Sequence, residues 1–378
     1  MVSKILLDVN IAYLLILVIF ENIFLPYLMK YILFAALLFI PLKITAQDKK
    51  FKVYTIAFYN VENLFDTIHD AGYSDSDFTP EGKMLWTAEK YKAKLNNIAQ
   101  VISEVGKDEN PNPPVVIGLC EIENRNVLTD LANHKLLSDS GYGIVHFDSP
   151  DRRGIDVALL YQKQFFKPTS YKSVPLNREY NHSVGDSIKG KIFFTRNPLL
   201  VTGMLEGEEI HFIINHWPSR ISSTVEKGNY RETAAALNRK TVDSLYTIKP
   251  SAKIIVMGDF NDGPYNNSIK KILAARDNRK EIKPGELFNP MAAMFNQGIG
   301  STAYRDNWQI FDQIIISEPL LQKDYSSLRF WKASVFDKPY LKQQTGQYKG
   351  YPLRNHNGEV GYSDHFPVYI YLIKEAKR

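Results

Sequence analysis

The most constraining feature of this chain is a series of short apolar runs that begins after Gln47 and continues to the C-terminus. Some runs alternate apolar and polar residues, and others are continuously apolar, as in strands buried on both faces of a sheet. Residues 86–105 and 229–245 lie between such runs and carry apolar side chains at helical spacing. Strands and helices that alternate in this way predict one α/β domain over residues 50–378.

The composition agrees with a folded globular protein, because 44% of the residues are hydrophobic and 23% are charged. The net charge of +5 is mild, so it permits a phosphate-bearing partner without requiring one. The sequence has no long basic block, so any binding of nucleic acid is expected to focus on one site. Cys120 is the only cysteine, which excludes an intrachain disulfide and a cysteine-based zinc site.

The N-terminal segment differs from the rest. From Met29 onward it has the form of a secretory signal, with Lys30, an apolar run over 31–40 and the small residue Ala46. We therefore expect translation to start at Met29, which makes residues 1–28 an extension upstream of the true start. Residues 29–46 would be a signal peptide, and the protein would be exported to the periplasm or the medium.

A membrane anchor of two helices is the alternative interpretation of this segment. Residues 11–28 are also mostly apolar, with Glu21 and Asn22 inside the run. The run over 31–40 is shorter than the roughly 20 apolar residues that a membrane span needs, which favours the signal peptide.

Polar side chains recur where the predicted strands end. The carboxyl ends of strands in α/β architectures converge on one edge and build a site there. Carboxylates and amides at that edge are the oxygen ligands that a hard divalent cation prefers, and with histidine they are the tools of metal-assisted phosphate-ester hydrolysis. The residues in such positions are Asn60, Glu62, Glu121, Glu123, Arg152, Arg153, Asp156, Asn215, His216, Asp259, Asn261, Asp262, Asp312, Asp364 and His365.

Six segments in order resemble the motifs of the endonuclease/exonuclease/phosphatase superfamily, which has the fold of deoxyribonuclease I. Each motif is weak alone, but six in order, each beside a predicted strand, are specific, and the resemblance covers nearly all of residues 53–372. It implies a four-layer α/β sandwich of two packed mixed β-sheets flanked by helices. The segments are FYNVENLF (58–65), IGLCEIEN (117–124), INHWPSR (214–220), GDFND (258–262), FDQI (311–314) and SDHFP (363–367).

The resemblance also implies a metal site that holds Mg²⁺, with Mn²⁺ or Ca²⁺ as alternatives. Glu121 would be the main ligand, and Asn60 would orient it or the phosphate. Glu62 could supply a second carboxylate, as an acid does at this position in some nucleases of the group. Asp364 would assist at the metal.

The same resemblance assigns the catalytic roles. Asp259 and Asn261 would position and deprotonate the attacking water. His365 would contact the scissile phosphate or act as acid and base, with Asp312 fixing its tautomer. His216 would stabilise the phosphate or protonate the leaving group.

Three further side chains are predicted to bind substrate. Arg153, with Arg152 as the alternative, would bind a phosphate oxygen in bidentate fashion. Asn215 would lie beside the phosphate, and Trp308 would stack on a base or a sugar together with Tyr304 and Arg305.

Structural interpretations of the same residues remain open at this point. Asn60 could cap a turn, and Glu121 could be an exposed charge at a strand end. Asp259 and Asn261 could form an Asx-turn before Gly263, a role that suits Asp262 better. Asp312 is harder to explain in this way, since a carboxylate inside an apolar strand needs a partner.

Segment 215–220 looks most like the secreted, nuclease-like bacterial branch of the superfamily. We therefore predict a monomeric endonuclease that hydrolyses DNA or RNA phosphodiesters, has no protein partner, and touches a membrane only through its signal or anchor. A phosphatase or a phospholipid phosphodiesterase of the same fold is the alternative, since the fold does not choose among these substrates. A binding module without catalysis is a third interpretation, which the complete set of polar residues disfavours.

Overall fold

The chain divides into two units, Met1–Lys49 and Lys50–Arg378. The structure is a computed structural model, and it describes residues 13–38, 50–176, 178–179, 192–193, 195–220, 226–356 and 358–376. In the first unit residues 13–38 are helical, with a π-helical turn at Phe20–Phe24 followed by helix α1 at Leu25–Leu38. The helical stretch Tyr13–Tyr31 is long and apolar enough to cross a membrane, a test that signal sequences also pass.

Helix α1 runs through Met29 and Lys30, where the sequence pattern suggests a boundary between two segments. Ala46, the predicted end of the signal peptide, lies outside the described residues. The division of this region into residues 1–28 and 29–46 therefore stays a prediction.

The second unit contains strands and helices in alternation, as predicted. Its helices are α2 (Ala88–Glu104), α3 (Arg125–Ala132), α4 (Glu226–Ile248) and α5 (Met291–Asn296). Its strands are β1 (Phe51–Leu64), β2 (Val116–Ile122), β3 (Tyr142–His146), β4 (Asp156–Gln162), β5 (Phe166–Ser173), β6 (Arg178–Glu179), β7 (Ile192–Phe193), β8 (Leu199–Leu205), β9 (Glu208–His216), β10 (Lys253–Asp259), β11 (Ala275–Arg276), β12 (Leu287–Phe288), β13 (Thr302–Tyr304), β14 (Asn307–Gln309), β15 (Asp312–Ser317), β16 (Arg329–Val335) and β17 (Val368–Glu375).

Two mixed sheets form the centre of this unit. Sheet A has the strand order β16-β17-β1-β2-β4-β3, and sheet B has the order β11-β12-β15-β10-β9-β8-β5. The sheets pack face to face, with β1, β2 and β17 of sheet A against β9, β10 and β15 of sheet B. Helix α2 packs on β1, and α3 packs on β3. The predicted four-layer α/β sandwich is confirmed.

Alternation along the strands of sheet B separates two apolar layers. Ile214 and Met257 belong to the core between the sheets, whereas Ile213 and Val256 belong to a second core that includes Ala234 of α4. The strands of sheet B are apolar on both sides because both faces are covered. Every second residue of a sheet B strand therefore faces sheet A. The same alternation determines to which side the polar side chains at the strand ends point.

Gly118 of β2 shows how closely the two sheets approach. A Cβ atom at this position would lie 2.8 Å from Met257 Sδ of sheet B and 3.1 Å from Phe58 Cδ2. Any side chain here would push the sheets apart, so the glycine permits close packing rather than an unusual backbone conformation.

Glu208 joins the two sheets at the start of β9, at the opposite end of the strand from His216. Its carboxylate accepts hydrogen bonds from Lys253 of β10 and, at 2.5 Å, from Ser327 Oγ, and it pairs with Lys374 of β17 at 2.6 Å. Burial alone raises the pKa of Glu208, but these donors lower it to about 2. The carboxylate is therefore ionised at neutral pH and ties β9 and β10 to β17.

We expect Ile255→Ala to lower the free energy of unfolding by about 2–5 kcal/mol, because Ile255 is fully buried between the sheets and its truncation leaves a cavity. Ile248→Ala is the matched control, since this side chain is 82% exposed, and its effect should stay within about 0.5 kcal/mol. Urea unfolding followed by tryptophan fluorescence measures both. Equal effects of the two substitutions would contradict the assignment of the core.

Candidate active site

Three polar side chains occupy one rung of sheet B at the edge where β9 and β10 end. His216 of β9 and Asp312 of β15 are the register partners of Asp259 in β10. They continue the inward-facing rows that end at Ile214, Met257 and Ile314, and they are almost completely buried. His216 Nε2 lies 3.7 Å from Asp259 Oδ2.

Sheet A contributes Asn60 and Glu121 to the same place. The Asn60 amide Nδ2 donates a hydrogen bond of 3.1 Å to Asp259 Oδ2, which crosses from one sheet to the other. Glu121 Oε1 lies 3.8 Å from His216 Nε2, and its Oε2 accepts a hydrogen bond from the Asn63 backbone N–H at 3.0 Å. The structure therefore brings these predicted residues of the two sheets together.

The backbone turns sharply where these side chains are presented. Glu62, Asn63, Glu121 and Asn261 have φ values of +51°, +55°, +62° and +51°, in the left-handed region that L-residues seldom adopt. The Asn261 N–H donates to Asp259 Oδ1 at 2.9 Å, so Asp259 both caps its own turn and faces the site. Asp259 can therefore stabilise its turn and belong to the site at the same time.

His365 and Asp312 form a short hydrogen-bonded pair. His365 Nδ1 lies 2.6 Å from Asp312 Oδ2, and Asp312 has no exposed surface. The pair explains the carboxylate inside an apolar strand, and it orients the ring of His365, whose Nε2 lies 4.0 Å from Asp259 Oδ2.

The pKa values of the two histidines are shifted in opposite directions. Burial alone lowers the pKa of His365, but the carboxylates of Asp312, Asp364 and Asp259 raise it well above its ordinary value, so the ring is an imidazolium at neutral pH. Burial and the positive charges of Arg196 and Arg153 lower the pKa of His216 well below its ordinary value, so this ring is neutral. One histidine can therefore donate a proton while the other cannot.

Asp259 lies between these groups. Burial raises its pKa to about 6, with His365 opposing and Asp312 adding to the shift. A carboxylate with such a pKa can accept a proton near neutral pH more readily than an ordinary aspartate.

Protein groups contact both oxygens of the Glu62 carboxylate. Its Oε2 lies 3.6 Å from Lys94 Nζ of α2 and accepts the Asn355 N–H at 3.0 Å, and its Oε1 lies 3.4 Å from Arg354 Nε. Both oxygens are therefore engaged by protein cations or donors, which differs from the predicted role of Glu62 as a metal ligand. Lys94 is completely buried in α2.

The remaining donor set suits a hard divalent cation. Asn60, Glu121 and Asp364 offer amide and carboxylate oxygens. Glu121 Oε1 lies 3.8 Å from the neutral ring of His216, and the Asp364 side chain is 35% exposed. Oxygen ligands of this kind, completed by water and substrate phosphate, are what Mg²⁺ prefers.

Asp259, Asp312 and His365 also place one ligand atom each within 4.8 Å of one another. We assign the metal to the other donor set, because the Asp312–His365 hydrogen bond already occupies Nδ1 of His365 in this group. The geometry of this group is that of an oriented proton donor.

Two arginines flank His216, one of which the sequence pattern did not reveal. Arg153 is 46% exposed, and its Nε lies 3.7 Å from Asp151 Oδ1, so its contact with a phosphate stays a prediction. Arg196 is buried, donating to Asp151 Oδ2 at 2.8 Å and to the Trp217 carbonyl at 2.9 Å. It precedes β8, which runs antiparallel to β9, so the N-terminal end of β8 lies at the same edge as His216.

Asn215 and Trp308 do not reach this cluster. Asn215 neighbours His216 in the strand and so faces the opposite side, where it is fully buried and accepts hydrogen bonds from Trp217 Nε1 and Asn238 Nδ2. We assign it to holding Trp217 rather than substrate. Trp308 stacks on Phe366, the residue after His365, with ring centroids 6.0 Å apart. It therefore lies next to the cluster.

Comparison with known proteins identifies the class of this site. Residues 55–374 match the model of the endonuclease/exonuclease/phosphatase family, and the chain belongs to this family. Its members hydrolyse phosphate esters and depend on a divalent metal. No curated protein matches the sequence significantly.

Solved structures share the fold. An endonuclease/exonuclease/phosphatase family protein of Bacteroides thetaiotaomicron has a TM-score of 0.51 at 16% identity, covering 88% of this chain and 98% of its own. A mannosyl-6-phosphatase of the same organism has a TM-score of 0.50 at 16% identity, with coverage of 84% and 99%. The human Nocturnin catalytic domain, solved with a bound sulfate anion, has a TM-score of 0.50 at 14% identity, with coverage of 87% and 98%.

We expect His365→Ala and Asp312→Asn each to lower kcat for a phosphodiester by about 10²–10⁴, the usual contribution of an oriented acid. The double variant should lose no more than the worse single variant, because the pair acts as one unit. The measurement is hydrolysis of bis(4-nitrophenyl) phosphate with Mg²⁺.

His211→Ala is the matched control for this prediction. His211 lies in β9, in the half of the strand away from His216, and its Nδ1 is 2.8 Å from Thr202 Oγ1. Its loss should leave kcat within about twofold because no catalytic group is touched. Additive losses in the double variant would contradict the paired role of His365 and Asp312.

Proposed function

We propose that this protein is an exported, Mg²⁺-dependent endonuclease that hydrolyses phosphodiester bonds of DNA or RNA. Membership of the family supports phosphate-ester hydrolysis. The observation that carries the proposal is the cross-sheet cluster in which Asn60 bonds Asp259 and His365 bonds Asp312. We assign the base, the acid and the oxygen ligands of the metal to this cluster.

Asn60, Glu121 and Asp364 would hold the divalent ion. When bound, the ion polarises a phosphoryl oxygen and neutralises charge that develops on it. Asn60 also donates to Asp259, so the same amide connects the metal ligands to the group that handles the water. The Asn63 N–H holds the Glu121 carboxylate in place.

Asp259 would accept the proton of the attacking water, with Asn261 positioning that water. The Asn261 side chain is anchored by its hydrogen bond of 3.0 Å to the Trp217 carbonyl. His365, held by Asp312, would donate its Nε2 proton to the leaving oxygen, while neutral His216 and Arg153 would contact the phosphoryl oxygens.

A β-hairpin beside the Asp364 segment, at the rim of the site, supports the proposal of a nucleic-acid substrate. Strands β13 and β14 form it, and Thr302 Oγ1 at its base donates to the Asp364 carbonyl at 2.9 Å. At its tip the Tyr304 ring is 68% exposed, and the Arg305 guanidinium lies 5.2 Å from the ring centroid. An exposed aromatic ring beside a cation stacks on bases while binding the phosphate backbone.

We expect the purified protein to nick plasmid DNA or cleave RNA with Mg²⁺ or Mn²⁺, and the activity to vanish with EDTA and in Glu121→Gln. The panel also contains sphingomyelin, inositol phosphates and a sugar phosphate. Nucleic-acid binding should weaken as salt rises, because bound cations are released from the phosphates. Cleavage of a lipid or a small monoester alone would keep the mechanism and overturn the substrate. No hydrolysis of any substrate, with metal bound, would favour the binding module.

Export predicts that the protein recovered from outside the cytoplasm lacks its apolar N-terminal segment. The helix over residues 13–38 supports either a signal or an anchor. Intact-mass measurement of the exported protein should give a chain that begins near Gln47. A full-length chain in the membrane fraction would establish the anchor, and a full-length chain in the cytosol would overturn export.

A further inference from the structure

A basic and aromatic segment lies between strands β16 and β17, shortly before Asp364 and His365. Residues 338–358 contain four lysine or arginine side chains and no aspartate or glutamate. The whole chain has a net charge of only +5, so positive charge is concentrated in this segment. Three tyrosines lie among the cations. The cations are Lys338, Lys342, Lys349 and Arg354, and the tyrosines are Tyr340, Tyr348 and Tyr351.

Four aromatic rings form a row that runs outward from the catalytic cluster, and we call this row the aromatic strip. Phe366, which follows His365, is buried and stacks on Trp308 with ring centroids 6.0 Å apart. The Trp308 ring contacts the Tyr351 ring at 5.9 Å. The Tyr351 ring contacts that of Tyr348 at 5.5 Å, and Tyr348 is 53% exposed. The strip therefore leads from the residue beside the proposed acid to solvent.

Hydrogen bonds join the strip to the tip of the β13–β14 hairpin. The Tyr351 hydroxyl donates to Asp306 Oδ1 at 2.7 Å and accepts the Asp306 N–H at 2.6 Å. Asp306 follows Arg305, whose guanidinium lies over the exposed ring of Tyr304. Tyr304 of the hairpin and Tyr348 of the strip therefore belong to one connected surface.

Cations flank both ends of the strip. At the inner end Lys342 Nζ lies 5.7 Å from the centroid of the Phe366 ring, and it also pairs with Asp337 at 2.6 Å. At the outer end Lys349 follows Tyr348, is exposed, and forms no ion pair within the described residues. Proteins that bind single-stranded nucleic acid combine rings and cations in this way, because the rings stack on bases while the cations contact phosphates.

We propose that the aromatic strip and residues 338–358 bind the unpaired nucleotides next to the scissile phosphate, so that the enzyme prefers single-stranded nucleic acid to duplex. The inference rests on the proposed function and specifies the substrate class of the same site. In a duplex the base faces are covered by neighbouring base pairs, so protein rings cannot stack on them. Negatively supercoiled plasmid would still be nicked where its strands separate, whereas linear duplex would be a poor substrate.

The test uses one labelled oligonucleotide of about 20 nucleotides, which is longer than most single-strand binding sites, both alone and annealed to its complement. The purified full-length protein is assayed with Mg²⁺ in a mild detergent. Bis(4-nitrophenyl) phosphate is the reference substrate, because it has no neighbouring nucleotides. We expect kcat/KM to be at least about tenfold higher for the single strand than for the duplex, since only unpaired bases can stack on the rings.

Tyr348→Ala should lower the ratio of kcat/KM for the single strand to kcat/KM for the reference by about tenfold, the size of one base–aromatic contact. Tyr348→Phe should retain the ratio, because the ring remains. Tyr171→Ala is the matched control, since Tyr171 is 57% exposed and lies on β5 at the edge of sheet B. It should leave the ratio of the wild type.

Lys349→Ala tests the contact with phosphate. Binding of the labelled single strand is measured by fluorescence anisotropy in EDTA, which prevents cleavage, over a series of salt concentrations. The slope of log K against log salt should become shallower by about 0.7, the value for one phosphate contact on a single strand. An unchanged slope would contradict the role of Lys349.

The outcomes separate the inference from the proposed function. Tyr348 is more than half exposed, so its substitution should leave the fold intact. Equal losses of Tyr348→Ala on the single strand and on the reference would overturn the inference. Cleavage of linear duplex as fast as the single strand would also overturn it and leave the nuclease proposal intact. Hydrolysis of the reference with no cleavage of either form of nucleic acid would overturn the proposed function together with the inference.

Discussion

The hydrogen bond between Asn60 and Asp259 is the interaction on which the rest of the site depends. It joins sheet A to sheet B at the one edge where the apolar core between them ends. Burying polar groups at such a position costs free energy unless they are paired, and the Asn60–Asp259 and Asp312–His365 hydrogen bonds pair four of them. Asn60 and Glu121 come from sheet A, whereas His216, Asp259 and Asp312 come from sheet B, and this bond links the two groups.

The sandwich itself supplies the rigidity. Close approach of the sheets at Gly118 and the ion pairs of Glu208 fix the sheets along their length and at the end away from the site. Side chains on strands of such a framework are placed more accurately than side chains on loops. The loops contribute Arg153, Arg354 and the hairpin at the rim, which are the groups that would adapt to different substrates.

Much of this structure could be predicted from the sequence, because the motifs lie beside strands whose period of two residues is visible. The same period could have shown that His216 and Asn215 face opposite sides. The partner of Glu62 could not be predicted, because Lys94 comes from α2, and helical spacing alone does not reveal that one lysine points inward. Arg196 was missed because it precedes its strand, and only the antiparallel pairing of β8 with β9 shows where it lies.

The left-handed backbone at Glu62, Asn63, Glu121 and Asn261 has a consequence for how this fold can change. Each such residue disfavours the folded state by roughly 1–2 kcal/mol, which the well-packed sandwich must offset. The rest of the fold must therefore be stable enough to tolerate these turns. In a descendant that no longer needed catalysis, glycine could replace these residues, and the protein would become more stable.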